Sequence, residues 1–90
     1  MKDELHAMPL STEVTVSVFG PLTDLFSEQR FPGRLALPAG AEEIRAQLVE
    51  QHPQLAAHRF MIAADNLLVG PDARVESASE IALLPAFAGG

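Results

Sequence analysis

Two strand signals near opposite ends of the chain constrain its fold more than anything between them. Near the start, Val14, Val16 and Val18 alternate with Thr15 and Ser17, and Phe19 follows. β-Branched residues alternating with polar ones read as a half-buried strand. Near the end, Ile81-Ala82-Leu83-Leu84 is an unbroken apolar run that stops at Pro85. Such a run predicts a central strand buried on both faces, and therefore one parallel to its neighbour. The chain has 90 residues. That is one domain with one modest core, burying roughly 60–65% of its unfolded surface.

The segments between the two strands alternate helix and strand. Gly20-Pro21 ends the first strand, and Pro21 suits the first position of a helix. Leu22, Leu25 and Phe26 then give a short helix with an apolar stripe. Phe31-Pro32-Gly33 reads as a turn, and Arg34-Leu35-Ala36-Leu37 as a second strand forming a hairpin-like pair with the first. After the break at Pro38-Ala39-Gly40, the clearest helix runs from Ala41 to Gln51, with Ala41, Ile44 and Leu48 on one face. Glu42 and Glu43 sit in its first turn, where the helix dipole favours negative charge, and Pro53 blocks its continuation. Phe60–Ala64 and Leu67–Val69 flank Asp65-Asn66, which predicts a tight hairpin. Residues 75–79 read as irregular, and residues 1–12 as a loose extension.

The expected order is strand, short helix, strand, long helix, strand, strand, last strand. The most economical assembly is an α+β domain of the ubiquitin-like β-grasp type. One main helix crosses one face of a mixed sheet, with the first and last strands parallel at its centre. Residues 13–84 would form this domain, and residues 85–90 a tail leaving the end of a central strand.

Composition narrows the function. The chain has no cysteine, which removes disulfides, thiolate metal sites and a cysteine nucleophile. Its net charge is −6, so nothing neutralises phosphates and nucleic acid is not an expected partner. No apolar run approaches the length of a membrane span, and the N-terminal residues lack a signal-peptide stretch, so a cytoplasmic protein is expected. His6, His52 and His58 show no paired metal-ligand spacing, so no metal is expected. Asp65, Asp72, Glu76 and Glu80 are scattered across turns and do not form a calcium loop. There is no Gly-x-Ser-x-Gly elbow, and the turn glycines Gly20, Gly33 and Gly40 make no phosphate loop.

What remains is the ending, Leu84-Pro85-Ala86-Phe87-Ala88-Gly89-Gly90. Gly89 and Gly90 carry no Cβ, so such an end can enter a channel too narrow for side chains. The carboxylate of Gly90 is also left sterically open. Pro85, Ala86, Phe87, Ala88 and Gly89 would form the arm that a partner grips. Phe87 either anchors in that partner, as buried aromatics do at interfaces, or folds back onto its own domain. Leu67 and Leu68 are candidates for an exposed sheet patch, although one of them could equally belong to the core.

From the opening strand through Phe19-Gly20-Pro21-Leu22-Thr23-Asp24-Leu25, the Gly40–Leu48 helix, the Asp65-Asn66 hairpin and the ending Glu80–Gly90, the chain resembles the MoaD/ThiS-type ubiquitin-like sulfur carriers. That family includes the small subunit of molybdopterin synthase and carriers for thiamine and cysteine biosynthesis. The resemblance covers roughly residues 13–90, and its most specific part is the acid, apolar strand, Pro and terminal Gly-Gly. It implies that the protein is a cosubstrate and not a catalyst, with no bound cofactor. An E1-like adenylyltransferase would use ATP to adenylate Gly90. A sulfurtransferase or other sulfur donor would then convert it to a thiocarboxylate. The sulfur would pass to a cofactor, molybdopterin first among the candidates, with the molybdopterin synthase large subunit as a further partner. The resemblance leaves open thiamine, cysteine or another thiolated metabolite as the destination. A ubiquitin-like modifier conjugated through Gly90 also remains open, and Lys2 is the one lysine in the chain.

Overall fold

The computed structural model describes residues 11–86. Seven strands and one α-helix follow in the order β1 (Ser11–Val18), β2 (Arg30–Ala36), β3 (Ala39–Gly40), α1 (Ala41–Gln51), β4 (Phe60–Ala64), β5 (Leu67–Leu68), β6 (Arg74–Val75) and β7 (Glu80–Pro85). Two 3-10 segments, Gly20–Leu25 and Pro53–Ala57, carry the connections after β1 and after α1. The main sheet has the order β2-β1-β7-β4-β5, and β3 and β6 form a separate two-stranded ladder.

The first and last strands lie side by side at the centre, as their composition predicts. β1 and β7 are parallel, with Val16 beside Ile81 and Val18 beside Leu83. β4 flanks β7 on the other side and runs antiparallel, with Ile62 opposite Leu83. Val16, Val18, Ile81 and Leu83 are fully buried, and so are Ile44 and Leu48 of α1. The helix thus covers one face of the sheet. Leu22 and Leu55, from the two 3-10 segments, close the edges of the same core. This is the β-grasp arrangement.

β7 is not buried on both faces as its apolar run suggests. Ile81 and Leu83 are buried, whereas Ala82 and Leu84 are only half-buried. A single helix covers a single face, so the alternate positions of a central strand look out from the other side. Ser11 and Thr12, expected in the loose extension, already belong to β1 and pair with Ala36 and Leu35. Pro85, expected to begin the tail, is the last residue of β7.

Phe31-Pro32-Gly33 is strand and not turn. β2 is an edge strand, where a proline is tolerated because no second neighbour needs its missing N–H. Phe31 stacks on Phe26 at 4.6 Å, and His52 packs edge-on against both rings. A Cβ on Gly33 would come within 2.9 Å of Val16 Cγ2, so the bare glycine lets β2 lie close over β1. Helix α1 is tied to this edge by two glutamines one turn apart. Gln47 accepts from the Ala36 N–H at 2.8 Å and donates to the Ala36 carbonyl at 3.1 Å. Gln51 donates to the Arg34 carbonyl at 2.7 Å.

Candidate functional site

The site is the end of β7 and the sheet face that surrounds it. β7 starts from a fixed point. The turn Asp65-Asn66 has positive φ at both residues, +48° and +74°, as a two-residue hairpin of this hand requires. There the Asp65 carboxylate accepts from the backbone N–H groups of Ser79 and Glu80 at 3.0 and 2.9 Å. One aspartate therefore ties the β4–β5 hairpin to the first residue of the central strand.

The strand also has a defined end. In the parallel ladder, the N–H groups of Thr15 and Phe19 donate to the carbonyls of Ser79 and Leu83 at 2.9 and 3.2 Å. Odd-numbered positions of β7 thus face β1. Pro85 is the next odd position and has no N–H to offer, so the ladder with β1 stops there. On the other side Pro85 pairs with Phe60, the first residue of β4. The Arg45 guanidinium lies 5.1 Å from the centre of the Phe60 ring and donates to the His58 carbonyl at 3.0 Å.

Strand register arranges the uncovered face in rows. Met61 is opposite Leu84, and Phe19 continues the outward parity of Ser17 beside them. The next row is Leu68, Ala63, Ala82 and Ser17. Beyond it stand Glu80 and Thr15. Phe19 is 38% exposed, Met61 42% and Leu68 63%. A row of large apolar side chains on an uncovered sheet face is a candidate interaction surface. The far end of the face is polar. The Glu80 carboxylate accepts from the buried Ser17 hydroxyl at 2.6 Å and from Arg30 at 3.1 Å. The apolar rows lie at the end where the chain leaves the sheet.

Of the residues expected at the site, Pro85 and Ala86 are half-buried at this exit. Phe87, Ala88, Gly89 and Gly90 lie outside the described residues. Leu67 and Leu68 are both exposed, so neither belongs to the core. Leu68 shares a row with Ala63 on the uncovered face. Leu67, opposite Ala64, falls on the helix side of β5 and is 74% exposed, beyond the cover of α1. Phe19, Met61 and Leu84 are additional members of the surface. Their sequence signal is an apolar residue at a position where period-two alternation calls for a polar one. No group of three or more His, Asp or Glu among the described residues is arranged to hold a metal ion.

The ThiS family model matches residues 16–90, from the first central strand through the Gly-Gly ending. The chain belongs to the ThiS family. It is therefore a ubiquitin-like sulfur carrier, as its ending and helix already suggest. Two solved structures share its fold. SAMP1 from Haloferax volcanii superposes with a TM-score of 0.65 at 16% identity, covering 88% of this chain and 100% of that one. At that identity the likeness speaks for fold alone. The complex of subunits 1 and 2 of the molybdopterin-converting factor from Helicobacter pylori 26695 contains a chain matched with a TM-score of 0.51 at 25% identity. That match covers 88% of this chain and 100% of the other. No curated protein matches the chain. A ThiS-family assignment fits the geometry: a five-stranded sheet, a central strand with a defined end, and an apolar face at that end.

Proposed function

We propose that this ThiS-family protein carries sulfur as a thiocarboxylate on Gly90 and delivers it to cofactor biosynthesis, with molybdopterin the foremost destination. What supports this most is that the family match runs to residue 90, while the described chain leaves the sheet from its central strand beside an apolar face. A carboxylate is a poor electrophile. Adenylation by a partner joins the Gly90 carboxylate to AMP from ATP and releases pyrophosphate. A donor carrying sulfur at the oxidation level of sulfide then attacks the acyl carbon, AMP leaves, and a thiocarboxylate remains. Its sulfur is the nucleophile in the later transfer. The protein positions this group, and its partners supply the catalysis.

The face formed by Phe19, Met61, Leu84 and Leu68 is the proposed docking surface for those partners. The molybdopterin-converting factor of Helicobacter pylori, in which subunit 1 is complexed with subunit 2, supports a large catalytic subunit as one such partner and favours the molybdopterin branch.

The test is intact-mass measurement after incubation with ATP, an adenylating enzyme and a sulfide donor. The expected product has one oxygen replaced by sulfur, and mixing it with a large synthase subunit and the molybdopterin precursor consumes it. Formation of lysine-linked adducts instead would favour a protein modifier. Unchanged function after deletion of Gly90 would refute both.

A further inference from the structure

The described chain leaves the sheet over a contact between Gly20 and Pro85. Gly20 has φ +61°, and a Cβ placed on it would lie 2.9 Å from Pro85 Cγ and 3.5 Å from Cδ. The first distance is shorter than real Cβ contacts, and the pyrrolidine ring cannot swing aside as a flexible side chain can. Gly20 therefore meets two demands, a left-handed backbone and a bare Cα facing the ring.

The loop that carries Gly20 is held in place. The Phe19 N–H donates to the Leu83 carbonyl at 3.2 Å, and the Thr23 hydroxyl donates to the Gly20 carbonyl at 2.8 Å. Leu22, two residues on, is 2% exposed in the core. On the opposite side Pro85 is paired with Phe60, under the Arg45 guanidinium. Pro85 thus sits between a fixed loop and a fixed strand, and its own φ is locked by the ring.

We propose that Gly20 is a positioning residue: the Pro85 ring rests on its bare Cα, and that seat sets the direction in which the chain leaves β7 at Ala86, and with it how the protein is presented to an adenylating partner. The inference rests on the proposed sulfur-carrier function for its consequence, but not for its geometry. A Cβ at position 20 displaces the ring and turns the backbone where it leaves β7. Misplacing a reacting group by about 1 Å can cost on the order of 100-fold in rate.

Four proteins test this: wild type, Gly20→Ala, Pro85→Ala and the double variant. The alanine at 20 adds both backbone strain and the clash. The alanine at 85 removes the clash, because its Cβ stands where the proline Cβ lies, 3.7 Å from the added methyl. Thermal midpoints are expected to fall by about 5–10 °C in Gly20→Ala and to stay below the Pro85→Ala midpoint in the double variant, since left-handed strain persists in both. Partner-catalysed adenylation, read as ATP–pyrophosphate exchange, is expected to fall about 10- to 100-fold in kcat/KM for Gly20→Ala. It returns to the Pro85→Ala level in the double variant. Full recovery of activity with stability still depressed by the strain is the signature that a purely structural role cannot produce. A double variant as impaired as the product of the two singles overturns the proposal.

If Gly20→Ala does not fold, Pro85→Ala decides alone, because it strains nothing. Its amide NMR signal at Gly20, remote in sequence from the substitution, shifts if the ring is seated there, and an unchanged signal overturns the idea. Wild-type protein that no adenylating enzyme accepts would refute the function proposed above, and the NMR comparison would still decide the seat.

Discussion

Asp65 gives the most informative single perturbation, because it holds the start of the strand whose far end is the site. Its carboxylate accepts from two backbone N–H groups, those of Ser79 and Glu80, while its own φ is +48°. Asp65→Ala removes both acceptor contacts and places an alanine in the left-handed region. Each hydrogen bond is worth about 1 kcal/mol at a surface position. The left-handed alanine costs about 1 kcal/mol more. The sum is about 3 kcal/mol, or roughly 12–24 °C in thermal midpoint for a domain of this size. Asp65→Asn keeps an acceptor oxygen and tolerates the backbone, so it should cost about 1 kcal/mol. Chemical denaturation gives the free energies, and hydrogen exchange locates them. The Ser79 and Glu80 amides should exchange faster in Asp65→Ala at denaturant levels where β1 and α1 remain protected. Equal costs for the asparagine and alanine variants, or unchanged exchange at those two amides, would refute the reasoning.

Met61→Asp and Leu68→Asp should each leave stability within about 0.5 kcal/mol and weaken partner binding by about tenfold or more, measured by calorimetry. Leu83→Ala, at the buried centre of β7, should cost about 2–5 kcal/mol in denaturant unfolding. Burial among Phe26 and Phe31 lowers the pKa of His52 below its ordinary 6.5. The unfolded chain then binds a proton more readily than the folded one. Stability should therefore fall as pH drops from about 6.5 through the lowered folded value, and level off below it. Thermal scans across that range should show the loss in the wild type and a flatter profile in His52→Phe.

The parts of the fold legible in the sequence are those set by local periodicity or by turn chemistry. The valine alternation of β1, the Ile44–Leu48 face of α1 and the Asp65-Asn66 turn each declare themselves within a few residues. β2 is longer than its sequence suggests because Phe31-Pro32-Gly33 looks like a turn until its surroundings are known. An edge location excuses Pro32, the Phe26 and His52 rings pack against a half-buried Phe31, and Val16 demands the glycine at 33. The β3–β6 ladder pairs two-residue segments far apart in sequence, with no periodicity to reveal it. At the site, Leu67 and Leu68 are visible as apolar residues beside a turn. Phe19, Met61 and Leu84 join them only once the register aligns their rows, and the Gly20–Pro85 contact requires the fold itself.

The parallel pairing of β1 with β7 also orders events during synthesis. The middle of the sheet is occupied by the last of its strands to be translated, and β1 and β4 have no neighbour between them until it arrives. Such long-range closure is slow compared with local helix and hairpin formation. A nascent chain stalled before residue 80 exposes two unpaired strand edges and is open to aggregation and proteolysis. Closure of the sheet and formation of its apolar face are thereby coupled: a chain that stops short of β7 has neither the central strand nor the row in which Leu84 stands beside Met61.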